Sequence, residues 1–182
     1  MVFDVRKAIV DRLRATKRKN IEVVIDYMEK HGFFTRYCYT HHHYDGGLAD
    51  HAWQTYLIAQ RIDAERCAKN PRAQRFDDDS LSICAILHDF SKCTGMPEFP
   101  MRDHGKRSAD MLRALGFKLD TQEFLAVRFH MRMDRDRRHF LYDDALRSQL
   151  RYVVHTADGK SASLRNGCND NYAKSMTNPK NK

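Results

Sequence analysis

The sequence predicts an all-α protein, a helical bundle with a metal site in the bundle core. Three observations lead there. Apolar residues recur at three- and four-residue spacing through most of the chain, and no stretch alternates as a half-buried strand does. Helix start and stop signals punctuate that pattern at intervals suited to a bundle. Histidines and aspartates fall on the same faces as the apolar residues of several of these helices.

The first helix is expected over residues 3–15. A second follows Asn20, an N-cap residue type, and stops before Gly32. Residues 31–47 read as a loop rich in His, Tyr and Gly. A long amphipathic helix then runs over 48–69 and ends at Asn70-Pro71, because the residue before a proline is pushed out of the helical region. The acidic run Asp77-Asp78-Asp79 suits the N-terminus of the next helix, whose continuously apolar stretch 81–87 marks it as buried. A loop with Gly95, Pro97 and Pro100 follows. Asp103 is placed to cap a helix that ends at Gly116, and Asp120-Thr121-Gln122-Glu123 has the form of a capping box for a helix reaching about 131. The last helix is expected from about Asp143 to at least Asp158. From residue 166 onward Asn, Lys, Ser and Pro dominate, which predicts a mobile tail behind one domain over 1–165.

A chain of 182 residues suits one domain with a real core. It has no run of about 18 apolar residues, which argues against a membrane span. The first seven residues lack the form of a secretion signal, and five cysteines without a CxxC pair suit reduced thiols; the expectation is a cytoplasmic protein. The net charge of +8 is gathered largely in Arg12, Arg14, Lys17, Arg18 and Lys19 and in Arg132, Arg135, Arg137 and Arg138. Such clusters either attract a phosphate-bearing ligand or are solvated helix ends.

The chemistry centres on His88-Asp89, two titratable residues at the end of the buried helix. Burying them is costly without a partner, and a divalent cation is one that suits both. Other ligands face the same core. Leu48, His51, Thr55, Ile58 and Ile62 share a stripe at helical spacing, and Asp158 follows Leu150 and Val154 at four-residue steps. His104 shares a face with Ser108, Met111 and Leu115, and His130 lines up with Ala126 and Val127. Taken singly, an inward histidine is usually a hydrogen-bonded core residue. Inward ligands on five helices, one of them a doublet, point to metal. Without thiolate in the set, Fe, Mn, Co, Ni and Zn are all suitable.

The order His51, His88-Asp89, Asp158 resembles the HD-domain superfamily of metal-dependent phosphohydrolases. The segments 46–51, 87–92 (Leu-His-Asp-Phe-Ser-Lys) and 157–161 are similar to that family's first-ligand, doublet and closing-aspartate segments. His41-His42, Tyr44 and Gly46-Gly47-Leu48 are similar to HD domains of certain exoribonucleases and conjugative relaxases. The resemblance implies one ion on His51, His88, Asp89 and Asp158, and a second on Asp89, His104 and His130 with Asp89 bridging. It implies cleavage of a phosphate ester, a nucleotide or a related phosphomonoester or diester, by metal-activated hydroxide. Asp89 and Lys92 are then the expected catalytic residues, and Lys92, Arg128, Arg132 and His42 the substrate contacts. A nucleic acid is the less favoured substrate. Two other readings stay open: a two-iron oxygenase of the same superfamily, and a metal- or nucleotide-binding module without turnover. Residues 97–103 and 132–142 are expected to form the rim of the site.

Overall fold

A side-chain hydrogen bond caps the start of four of the eight α-helices in the computed structural model. Residues 3–38, 41–94, 103–131 and 139–164 are described. The expected tail from 166, and the rim segments 97–102 and 132–138, lie outside them. Eight α-helices and one short 3-10 helix make up the described chain, with no strand among the described residues. They are α1 (Val5–Ala15), α2 (Ile21–Lys30), α3 (Gly47–Lys69), α4 (Asp78–Leu87), the 3-10 helix Phe90–Thr94, α5 (His104–Ala114), α6 (Thr121–Arg128), α7 (Tyr142–Arg147) and α8 (Gln149–Ser163). The fold is the all-α bundle that the sequence predicts.

The side chain of Asp4 accepts from Lys7 N at the start of α1, and Asp77 accepts from Ser80 N at the start of α4. The expected capping box at α6 is complete, with Asp120 and Glu123 each accepting from the other's backbone N–H. Two expected caps work differently. Asn20 and Asp103 both sit in the left-handed region, and neither side chain caps its helix. Asn20 instead donates from Nδ2 to Gly116 O, tying the start of α2 to the turn after α5.

The last expected helix is two. Ser148 turns extended between α7 and α8, and its hydroxyl accepts from Arg151 N as the cap of α8. Helix α6 stops at Arg128 rather than near 131, so His130 follows its end.

Helix α3 packs against α8, α4 and α1, and α6 packs against α8, α5 and α4. Every residue from Leu81 to Leu87 in α4 is buried, as its continuous apolarity implies. Phe33, Phe90, Phe117 and Phe129 are among the largest fully buried side chains. Burial of each contributes about 1.5–3 kcal/mol. Three of the five residues of the N-terminal basic cluster are ion-paired within the chain. Arg12 pairs with Asp78 and Asp79, Arg14 with Glu22, and Arg18 with the fully buried Glu123. No helix is long and apolar enough to cross a membrane among the described residues.

Candidate metal centre

Six side chains from five helices and their ends converge in the core. His51 comes from the second turn of α3, and Asp158 from the inner face of α8. His88 and Asp89 occupy the bend between α4 and the 3-10 helix. His104 opens α5, and His130 follows α6. His51, His88 and His130 are fully buried and Asp89 is 1 % exposed.

Asp89 divides the cluster. Its Oδ2 lies 3.5 Å from His51 Nε2 and 3.3 Å from His88 Nε2, while His51 Nε2 is also 3.2 Å from Asp158 Oδ1. Its Oδ1 faces the other way, 3.2 Å from His104 Nε2 and 3.6 Å from His130 Nε2. Those two histidines stand 2.9 Å apart, and His51 and His88 stand 3.2 Å apart, each pair meeting through Nε2. Ligands at about 2.1 Å from one ion stand roughly 3.0–3.4 Å from each other, so the spacings suit ions. A second observation agrees. Asp89 Oδ1 is buried and accepts no hydrogen bond among the described residues. An ionised carboxylate oxygen left so is expensive, and a cation is the partner the surrounding donor set suits.

The outer nitrogens of the histidines are held by neighbours. His88 Nδ1 donates to Ala85 O at 2.8 Å, and His130 Nδ1 donates to Val127 O at 2.7 Å. His51 Nδ1 faces Ser161 Oγ at 3.0 Å. The two carbonyls require a proton on Nδ1 of His88 and of His130, which turns Nε2 of each toward the cluster, and the Ser161 hydroxyl can accept from His51 Nδ1 in the same way. The segment bearing His130 is strapped to α8, where His155 Nδ1 donates to His130 O at 2.5 Å and Arg151 Nε donates to Phe129 O at 2.7 Å.

Two glycines permit the close approaches. A Cβ on Gly105 would lie 2.5 Å from Arg128 O, so only glycine lets the first turn of α5 meet the end of α6 and bring His104 to His130. A Cβ on Gly47 would lie 2.0 Å from His42 O, which explains the second glycine where the loop meets α3.

The electrostatics are those of ionised carboxylates among buried imidazoles. Burial pulls His51 down to about 3 against the hydrogen bond and charge of Asp158. On His88 burial acts the same way, but the charge of Asp89 and hydrogen bonds to Asp158 and Asp89 win, holding it up at about 10. Burial would raise both carboxyls. The Lys92 and His88 charges outweigh it at Asp89, and hydrogen bonds from His51 and His88 do so at Asp158, so both stay well below the usual range.

Lys92 is 8 % exposed, and its Nζ lies 2.5 Å from Asp89 Oδ2. His42 is fully buried at a positive φ of 49°, its Nε2 3.0 Å from Gln54 Oε1 and its Nδ1 3.0 Å from His41 Nδ1. The Arg128 guanidinium lies 5.0 Å over the Phe129 ring, with its Nε buried and lacking a hydrogen-bond partner among the described residues. Arg132 lies outside the described residues. Ser161, Gln54 and Arg151, which hold this site, were not singled out as functional by the sequence reading. Ser161 had a signal: it follows Asp158 by three residues on the same helix face.

No curated protein and no solved structure matches the chain. The HD domain family model matches residues 48–163, more than half of the 182. The match starts just before His51 and ends just after Asp158, so it takes in all six converging side chains. The chain therefore belongs to the HD-domain superfamily of metal-dependent phosphohydrolases.

Proposed function

We propose that this chain is a phosphohydrolase that cleaves the phosphate ester of a small molecule, a nucleotide or a related phosphomonoester or diester, with two divalent ions bound. The observation that carries the reading is the division of Asp89, with Oδ2 toward His51 and His88 and the hydrogen-bond-free Oδ1 toward His104 and His130. His51, His88, Asp158 and Asp89 Oδ2 hold one ion, and His104, His130 and Asp89 Oδ1 the other. Fe, Mn, Co, Ni and Zn suit this donor set. Ions in such a site acidify a bound water near neutral pH and neutralise charge on phosphoryl oxygens.

The chain's own residues do the rest. Asp89 joins the two halves and orients both. Lys92, already charged beside Asp89, supplies an ammonium to a phosphate oxygen. Arg128, its guanidinium held over Phe129 beside His130, binds a further phosphate oxygen. Arg132 is assigned the same task, and His42 supports the ligand side of the pocket. A small substrate is preferred to nucleic acid because Arg12 and Arg18 are largely buried in ion pairs within the chain and Arg14 is paired with Glu22 at the surface.

The test is a screen of phosphate monoesters and diesters, nucleotides included, with protein reconstituted separately with each metal, recording the alcohol and the phosphate or phosphomonoester released together with oxygen uptake. Cleavage of a phosphate ester without oxygen uptake is expected. It should be abolished in Asp89→Asn and reduced on the order of 100-fold in Lys92→Met. Oxygen uptake by the iron form without phosphate release would establish the oxygenase reading instead. Nucleotide binding without turnover in any metal would establish a binding module.

A further inference from the structure

A chain of polar side chains runs from the ligand His51 to a histidine that the ligand set does not use. His51 Nδ1 meets Ser161 Oγ at 3.0 Å, Ser161 Oγ lies 3.3 Å from His51 O and 3.4 Å from Gln54 Oε1, and Gln54 Oε1 lies 3.0 Å from His42 Nε2. His42 Nδ1 lies 3.0 Å from His41 Nδ1. His51, Ser161 and His42 are fully buried and Gln54 is nearly so. The His41 ring, half-buried, stands with its centroid 4.4 Å from that of His51.

The proton positions along this chain follow one after another. A histidine that ligates through Nε2 carries its proton on Nδ1, so His51 donates to Ser161. Ser161 has one proton, which it directs to His51 O and Gln54 Oε1. Gln54 Oε1 only accepts, so the bond from His42 requires a proton on His42 Nε2. Neutral His42 then has its lone pair on Nδ1, and His41 must donate to it from its own Nδ1. That leaves His41 with its lone pair on Nε2, the nitrogen turned away from His42.

Burial disfavours the charged form of either ring, His42 being fully buried and His41 half-buried. The fold also spends something on the arrangement. His42 is held at positive φ, its backbone O accepts from Cys38 N and Tyr44 N, and Gly47 is bare to let that backbone pass.

Resting on the two-ion reading above, we infer that Ser161, Gln54 and His42 are positioning residues that fix the tautomer of His41. They make His41 Nε2 a hydrogen-bond acceptor beside His51, for an O–H group of water in the site. His41 is thereby a further site residue outside the six ligands, and Gln54 is the residue that sets its polarity.

The experiment is nitrogen–proton NMR of histidine-labelled full-length protein loaded with the NMR-active isotope of cadmium, with no substrate added, so that water is the only free O–H donor. His41→Gln and His42→Gln assign the two rings by loss of their signals. Cadmium coupling is expected at His51 Nε2 and absent from His41. His42 should carry its proton on Nε2 and His41 on Nδ1, with the His41 Nε2 shift displaced from the free lone-pair value toward the protonated one. In Gln54→Leu the fixed tautomers of His41 and His42 should become mixed while cadmium coupling at His51 persists.

With the rings so assigned, the parent spectrum decides. A proton on His41 Nε2, cadmium coupling at His41, or an undisplaced lone-pair shift overturns this inference while leaving the metal centre intact. Loss of coupling at His51 in the parent overturns the metal centre itself and the relay direction with it.

Discussion

Glu123 is a buried carboxylate with no part in the ligand set, and its partners make it a link between elements. Arg18 donates to both of its oxygens from the α1–α2 connection, and Ser80 donates from α4. Burial would raise its pKa, but the Arg18 hydrogen bond and those of Asp120 N and Ser80 lower it below the usual value. A carboxylate with a depressed folded pKa stabilises the protein above its unfolded pKa, and that stability is lost as pH falls through the folded value. Glu123→Gln keeps the shape and removes the charge. It should cost about 2 kcal/mol near neutral pH, and the difference from the parent should shrink in acid, below the usual glutamate range, as the parent's own Glu123 protonates. Urea unfolding at the two pH values checks this; an equal difference at both contradicts the role given to the charge.

At the scale of elements, much was legible because the signals are local. The stripe Leu48, His51, Thr55 and Ile58 lies buried in α3, and the Asp120–Glu123 box forms as written. The break at Ser148 was missed because no Gly or Pro marks it; only a serine able to accept from the N–H three residues on does so. The ligand face of His130 could not come from helix periodicity either, since α6 ends two residues earlier and His130 is aimed by its bond to Val127 and the straps from α8. The meeting of α5 with α6 depends on Gly105, whose role appears only when Arg128 O is seen against it. Gly105→Ala should push these helices apart at His104 and His130, at a cost of about 1–3 kcal/mol. Bound metal should fall from two equivalents to one, with the ion on His51, His88 and Asp158 retained; two equivalents would contradict the helix contact assigned here.

For the whole molecule, the centre ties α3, α4, α5, α6 and α8 together through six side chains far apart in sequence, so bound metal should act as a fold-wide clasp. With free zinc at about 100 times its dissociation constant, stabilisation of about 2.7 kcal/mol is expected, or roughly 5–10 °C in Tm. Calorimetry with zinc and after chelation measures it, and an unchanged Tm would mean that the ion does not bind the folded state preferentially. The measurement that bears most directly on the two-ion centre is metal content of protein purified as expressed, beside His130→Ala. Two equivalents in the parent and one in the variant are expected if the ion held with His104 is the one His130 serves, its Nε2 lying 3.6 Å from Asp89 Oδ1. One equivalent in both would confine the metal to His51, His88, Asp89 and Asp158 and contradict the division of Asp89 between two ions.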